Sequence, residues 1–267
     1  MNYRLFSVFA MLSAALCQAC AAESVAIRPV PVERCAEVVA TPDLDPFDPE
    51  SVKRWRGAPR IAKALGSDRR DLLRNLLASG ENPNICLLGF SVLALSASSG
   101  DVEEVRILLD GGADPGLPLD ASGGTPLMMA LQSGRFEVAR LLIARGANVR
   151  AVGDGGMTAL YQLTWSLLSS ASQAEQREQA AMARELLDKG AAVDVPMGVP
   201  QMTPLMLAAS RGNKPMVELL LARSADPRLK DFKGRTPQDF ARAKGHDEVA
   251  QLLSAAESSM TAAPLPR

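Results

Sequence analysis

The sequence predicts an all-α repeat fold, a solenoid of about six helix-turn-helix units. Three observations predict it: one order of residues recurs along the chain, the copies open on a Ser or Thr, and in most copies a glycine follows nine positions later. Because each unit of such a stack covers its apolar side with the next unit, a long lateral surface stays open and no deep catalytic pocket is expected. The copies are spaced by 34, 33, 45 and 33 residues and open at Ser91, Thr125, Thr158, Thr203 and Thr236.

Each unit begins with a short first helix. The Thr hydroxyl can cap this helix, and the Pro that follows it in three units occupies the first helical position, where no amide hydrogen is needed. The glycine ends the helix, because glycine adopts a left-handed backbone without a Cβ clash. These prolines and glycines are Pro126, Pro204, Pro237, Gly100, Gly134, Gly212 and Gly245.

A second helix follows in each unit. Its apolar residues, such as Val105 and Leu108, recur at helical spacing, so one face must be covered by a neighbouring helix. A Gly-Ala pair, as at Gly112-Ala113, ends the helix before the chain turns away. The longest spacing contains residues 167–179, rich in Ser, Ala and Gln, which we interpret as an inserted loop between the two helices of that unit.

A degenerate first copy precedes these five. Counting back 33 residues from Ser91 reaches Ala58-Pro59, followed by an apolar stretch. The predicted repeat domain covers 53–256, behind a Pro-rich leader at 23–52 that caps it. A tail at 257–267, rich in Ser, Ala and Pro, lacks an apolar face and is expected to be disordered. The predicted units are 53–84, 85–118, 119–151, 152–196, 197–229 and 230–256.

The recurring pattern is Gly-x-Thr-Pro-Leu, a glycine nine residues after the Thr, and then Gly-Ala-Asp or Gly-Ala-Asn. This pattern resembles the ankyrin repeat over roughly Ala58 to Ala256. The resemblance implies L-shaped pairs of antiparallel helices with β-hairpin loops projecting from one edge. Departures from the family pattern are expected to weaken single hydrogen bonds and not the fold. They are Met128 and Met206 in place of the usual His, Ala159 after Thr158, and Ser224 before Ala225.

The first 22 residues are typical of an export signal. Arg4 supplies the positive start, Leu5 to Leu16 the apolar stretch, and Ala19-Cys20-Ala21 or Cys20-Ala21-Ala22 a small-residue cleavage site. The apolar stretch is shorter than the roughly 20 residues that span a bilayer, so we expect cleavage and a periplasmic protein. The alternatives are a fully secreted protein or one anchored through a lipid on Cys20.

Charge and cysteine content constrain the mature chain further. Without Arg4, the chain has 28 basic and 30 acidic residues, so its net charge is 28 − 30 = −2. This charge does not favour binding to nucleic acid or to anionic lipid. We expect a monomer without a membrane span. Signal removal leaves Cys35 and Cys86, and an oxidising compartment favours a disulfide between them that pins the leader to the first repeats. Closing a loop of about 50 residues contributes at most about 4 kcal/mol. The alternative is two separate buried thiols.

The sequence predicts no catalytic residue, cofactor or metal site. His246 is the single histidine and occupies a position where ankyrin-like units often carry His, so we interpret it as structural. A Ser-His-Asp triad, a zinc cluster or a Cys-His pair would each need His or Cys side chains that the chain lacks. Acidic pairs such as Glu103-Glu104 lie at helix starts, where they favour the helix dipole. We therefore do not expect an enzyme.

The resemblance implies that binding residues lie on the hairpins before each Thr and at the ends of the first helices. Aromatic residues, Met and Arg are enriched at protein interfaces, and this chain carries several at these positions. An alternative is that Trp165 packs beneath the insertion and Phe90 beneath the disulfide. The candidates are Phe90, Gln132, Asp154, Met157, Trp165, Met202, Arg211, Phe232, Lys233 and Arg235.

These features predict a non-enzymatic protein-binding module. In the periplasm it would act as an adaptor or as an inhibitor, including an immunity protein, for one protein partner such as a toxin or an envelope enzyme. The alternative is a secreted effector that acts on proteins of another cell.

Overall fold

The computed structural model describes residues 37–38, 59–87, 90–118, 122–166, 172–198 and 200–262. Twelve α-helices lie within these ranges, in six successive pairs, which confirms the predicted all-α repeat fold. The predicted signal (1–22), most of the leader, and residues 263–267 lie outside them. The helices are α1 Arg60–Lys63, α2 Arg70–Ala78, α3 Val92–Ser99, α4 Val102–Asp110, α5 Pro126–Gln132, α6 Phe136–Ala144, α7 Ala159–Ser166, α8 Gln173–Asp188, α9 Pro204–Ser210, α10 Lys214–Ala222, α11 Pro237–Ala243 and α12 Asp247–Ala262.

Short strands form the hairpins between pairs. They are β1 Glu37–Val38, β2 Cys86–Leu87, β3 Phe90–Ser91, β4 Val152–Gly153 and β5 Met157–Thr158. Strand β2 pairs antiparallel with β3, and β4 pairs antiparallel with β5. Strand β1 runs parallel to β2, with Glu37 opposite Cys86. A segment of the leader therefore widens the hairpin of the second unit by one strand.

The starts and ends of the first helices follow the predicted signals. The Thr125 hydroxyl accepts a hydrogen bond from the Met128 amide at 3.3 Å, and Thr203 caps α9 in the same way through Met206. Gly134 and Gly212 adopt φ angles of 69° and 65° just after the helices they end. Capping and termination thus act at the same register in successive units, so their first helices begin and end at equivalent positions.

The helices stack into one continuous core. Helix α7 packs between α5 and α9, and the second helices pack on one another in the same order, α8 on α10 and α10 on α12. Apolar side chains that are fully buried fill these contacts. Examples from successive units are Leu93, Leu127, Leu131, Leu142, Leu160, Leu163 and Leu220.

The structure corrects the predicted insertion loop. Residues 173–179 are not a loop but the first turns of α8, which has 16 residues where α6 and α10 have nine. Ser172 starts the helix in a capping box with Glu175, whose carboxylate accepts the Ser172 amide at 2.7 Å. The segment is rich in strong helix formers and free of Gly and Pro, so added residues extend the helix. Residues 167–171 lie outside the described part of the chain.

The structure also corrects the predicted start of the tail. Helix α12 continues to Ala262, so residues 257–262 are helical and not disordered. The hydroxyl of Ser258 donates to the Ser254 carbonyl at 2.9 Å, and that of Ser259 donates to the Ala256 carbonyl at 2.8 Å. Such local bonds satisfy the hydroxyls within the helix, and no Gly or Pro stops the helix before Pro264.

A buried carboxylate lies at the contact between the first two units. Glu104 is 3% exposed, at a position three residues after the helix N-cap where other units carry the buried apolar Val138 and Met216. Its carboxylate accepts the amide of Gly66 from the turn between α1 and α2. Burial raises the pKa of Glu104 above its ordinary value, and the hydrogen bonds from Ser96 and Gly66 only partly oppose this rise.

The substitution Glu104→Gln should therefore alter how stability depends on pH. The folded state of the natural chain holds the Glu104 proton above the unfolded-state pKa of about 4.3, so its stability falls as pH rises through the folded pKa. Gln keeps an oxygen acceptor for Gly66 but does not titrate, so this fall should disappear. Urea unfolding at a series of pH values measures the effect. Glu103→Gln controls for the change in net charge, and an unaltered pH slope in Glu104→Gln would contradict the prediction.

Candidate functional site

Neighbouring hairpin loops are joined by backbone hydrogen bonds. The Asp154 amide donates to the Ser122 carbonyl at 2.6 Å, and the Gly198 amide donates to the Gly155 carbonyl at 2.6 Å. The Phe232 amide then donates to the Pro200 carbonyl at 3.1 Å. We call the loops at 122–124, 152–158, 197–198 with 200–202, and 230–235 the hairpin row. Because each loop is held by the next, their side chains form a surface whose shape is largely preset.

Gly156 allows the closest approach in this row. Its φ angle is +84°, and a Cβ atom there would lie 2.0 Å from the Pro196 carbonyl oxygen. A side chain at this position would force the loops of the fourth and fifth units apart. Gly156 thus serves loop packing, as expected where backbones approach closely.

An aromatic and cationic cluster lies at the ends of the first helices. The guanidinium carbon of Arg211 lies 5.1 Å from the centre of the Trp165 ring. Arg211 also donates to the carbonyl oxygens of Thr164, at 3.0 Å, and Trp165, at 2.5 Å. Tyr161 stacks on Trp165 with ring centres 6.4 Å apart and planes inclined by 14°. We call these three side chains the Trp165 cluster. Trp165 is 39% exposed.

The Trp165 cluster is partly shielded from solvent. Burial lowers the pKa of Arg211 and raises the pKa of Tyr161, while the positive charge of Arg211 partly opposes the rise at Tyr161. A guanidinium in a folded protein remains charged at neutral pH. The cluster therefore presents a weakly hydrated cation beside a large aromatic face, a combination enriched where proteins bind one another.

The hairpin of the sixth unit is built around one buried carboxylate. Asp231 is 5% exposed and accepts the amides of Lys233, at 2.9 Å, and Arg235, at 2.8 Å, together with the Arg235 guanidinium at 2.7 Å. Burial alone would raise the pKa of Asp231, but the hydrogen bonds from Arg235 and Lys233 outweigh it and hold the pKa below its ordinary value. The turn exposes Phe232 by 55%, with the Lys233 ammonium 5.3 Å from the ring centre.

The structure separates the predicted binding residues into two groups. Trp165 joins Arg211 in the Trp165 cluster, while Phe232, Lys233 and Arg235 share one hairpin that bonds to the loop of Met202. Asp154 is exposed on the hairpin row, and Gln132 is half-buried at the end of α5. Phe90 and Met157 are half-buried and pack against the hydrophobic core, so they offer less surface to a partner.

Sequence reasoning missed Tyr161 and Asp231. Tyr161 lies four residues before Trp165, a spacing that places two side chains on the same helix face and could have identified it. Asp231 lies two residues before Lys233-Gly234 in a turn, and an Asp side chain commonly accepts the amide two residues on. Neighbouring residues in sequence do not indicate that Asp231 is buried, because its burial depends on how the sixth unit packs against the fifth.

The described residues bear on two other kinds of site. No helix there has both the length and the apolar character to cross a membrane. Within the same ranges, no three His, Cys, Asp or Glu side chains are grouped so that they could hold a metal ion.

Comparison with known proteins agrees with this architecture. An ankyrin repeat-containing protein of Treponema pallidum is 34% identical over 143 residues, which cover 54% of this chain and 44% of the relative. The Drosophila melanogaster ankyrin repeat and KH domain-containing protein mask is 35% identical over 120 residues, 45% of this chain and 3% of its own length. The chain thus spans less than half of these relatives. The family model for ankyrin repeats matches residues 61–152 and 168–262, more than half of the chain, so this protein belongs to the ankyrin repeat family.

Proposed function

We propose that this protein acts in the periplasm as an adaptor or inhibitor, including an immunity protein, that holds one protein partner. Ankyrin repeats are protein–protein interaction modules without catalytic chemistry. The partner lies against the hairpin row and the ends of the first helices. The observation that carries this proposal is the continuous run of bonded loops, with Phe232 exposed on one of them and Trp165 exposed in the Trp165 cluster.

The physical basis is a preset surface with two aromatic anchors. Ordering loops and side chains on binding costs free energy, and bonds between neighbouring loops reduce that cost. Trp165 and Phe232 stay 39% and 55% exposed although aromatic side chains gain strongly from burial. Large aromatic residues of this kind dominate the energetics of many protein interfaces. A partner that covered both rings would gain most of its affinity there.

The compartment and the disulfide are parts of the same proposal. The predicted signal and Cys35 lie outside the described residues. Support for a Cys35–Cys86 bond comes from strand β1, whose Glu37 is two residues after Cys35 in sequence and lies opposite Cys86. Cys86 is 1% exposed, so a bond there would be shielded from solvent. The disulfide would hold the leader on the second unit as an N-terminal cap.

A crosslinking experiment in intact cells tests this function. A photoreactive phenylalanine analogue replaces Phe232 in the full chain, and a control chain carries it at the exposed Arg184 of α8, on a second helix. After irradiation, osmotic shock separates the periplasmic fraction, and alkylation without reductant followed by mass measurement counts free thiols. We expect one protein adduct from position 232, none from position 184, its recovery in the shock fraction, and no alkylation of Cys35 or Cys86.

Other results would overturn particular parts of the proposal. Equal adducts from both positions, or none from position 232, would exclude a dedicated partner on the hairpin row. Recovery of the chain in culture medium or in the lysate of another cell would replace the periplasmic role with that of a secreted effector. Two alkylated thiols would exclude the disulfide while leaving the binding surface intact.

A further inference from the structure

Positive charge is concentrated on the binding side of the last two units. Lys230, Lys233 and Arg235 lie on the sixth hairpin with one carboxylate, Asp231, which gives 3 − 1 = +2 for that loop. Arg211 and Lys244 add two cations at the C-terminal ends of α9 and α11. The chain as a whole has a formal charge of −1, so this concentration is local.

The three lysines of this group lack a counter-ion among the described residues. Arg235 is paired with Asp231 at 2.7 Å. In the part of the chain that the structure describes, no salt bridge involves Lys230, Lys233 or Lys244, and all three are exposed. On the second helices of the same units the pattern differs, because cations there have partners. Lys214 lies 3.1 Å from Glu248, and Arg223 lies 2.8 Å from Asp188.

Aromatic rings lie among these cations. The Lys233 ammonium is 5.3 Å from the centre of the Phe232 ring, and Arg211 is 5.1 Å from that of Trp165. Each ring is more than a third exposed. A group that binds here meets an apolar face and a cation together. Carboxylates beside an aromatic or large aliphatic side chain satisfy both features.

We infer that the last three units bind an acidic segment of the protein partner, one that carries an aromatic or large aliphatic anchor beside its carboxylates. The anchor packs on Phe232 or Trp165, and the carboxylates pair with Lys233, Lys244 and Arg211. This inference rests on the proposed function and adds the chemistry of the partner. A segment of protein fits better than nucleic acid, because three lysines without a salt bridge in the described ranges, Lys230, Lys233 and Lys244, are few for a phosphate backbone and the exposed Asp154 lies on the same hairpin row.

Peptide binding to the full chain tests the inference. The probe is a short fluorescein-labelled peptide of Asp and Glu with two Phe residues. Its comparators replace every Asp and Glu by Asn and Gln, or by Lys. We expect fluorescence anisotropy to show binding of the acidic peptide at least about tenfold tighter than that of the neutral one, and weakening as salt is raised from about 0.05 M to 0.5 M.

Variants locate the site. Lys233→Glu and Lys244→Glu should each lower the affinity for the acidic peptide by about fivefold or more. Phe232→Ala should lower the affinity for both the acidic and the neutral peptide. Arg184→Glu makes the same charge change on the second helix α8 and should leave binding unchanged. Circular dichroism melting confirms that each variant is folded.

The outcomes separate this inference from the proposed function. Equal binding of the acidic, neutral and Lys peptides would contradict the inference of an acidic segment. A loss of affinity in Arg184→Glu as large as that in Lys233→Glu would contradict it as well. So would tighter binding of a single-stranded oligonucleotide than of the acidic peptide. If position 232 crosslinks one protein in cells and Lys233→Glu does not reduce that adduct, the binding module stands and the acidic segment is wrong. If no protein is crosslinked, the proposed function itself fails.

Discussion

Leu163→Ala is expected to lower the free energy of unfolding by about 2 to 5 kcal/mol, a large fraction of the stability of a typical domain. Leu163 is fully buried in α7, which packs against α5, α8 and α9. The substitution leaves a cavity where three units meet, and the rigid stack can fill it only partly. Urea unfolding followed by circular dichroism measures the loss.

The matched control is Leu72→Ala. Leu72 is 44% exposed on α2, so the same side chain is removed where little apolar area is buried. We expect this change to lower the free energy of unfolding by less than about 1 kcal/mol. Similar losses in the two variants would show that the middle of the stack is not packed as described. Separate unfolding transitions in Leu163→Ala would instead show that the solenoid splits at the damaged unit.

Asn213→Ala should have the second largest effect, a loss of about 2 to 4 kcal/mol. Asn213 is 4% exposed, and its side-chain oxygen caps α10 by accepting the Met216 amide at 3.1 Å. Its side-chain amide donates to the Gln179 oxygen at 2.7 Å, and Gln179 is fully buried. Ala removes the cap and leaves a buried polar oxygen without its partner. The same urea titration measures both losses together.

Ser172→Ala provides the comparison, because it removes a helix cap in an exposed setting. Ser172 begins α8, and its hydroxyl accepts the Glu175 amide at 3.3 Å. This substitution should cost about 1 kcal/mol, the ordinary contribution of a cap. The additional loss of unfolding free energy in Asn213→Ala then measures the contribution of its buried hydrogen bond with Gln179. An equal cost in the two variants would mean that this pair contributes nothing.

The candidate surface could be located from sequence, but its energetic character could not. Repeat register placed Phe232 on a hairpin and Trp165 at a helix end, and both are exposed. The repeat register predicted Phe90 as a binding residue equal to Phe232 and Trp165, although Phe90 packs against the core. It also treated Arg235 like Lys233, although only Arg235 is neutralised by Asp231. Such differences arise from contacts between residues that a positional pattern treats alike.

Local pattern determined the repeat architecture of this protein. Capping Thr residues, the prolines after them and the left-handed glycines are signals read within a few residues, so they identify most of the first helices without knowledge of their neighbours. Only the tertiary structure decided three other features. These are the pairing of β1 with β2, the tip-to-tip bonds of the hairpin row, and the burial of Glu104, Gln179 and Asp231. Each depends on atoms from segments distant in sequence, where packing of whole units sets the distances and no short-range preference records them.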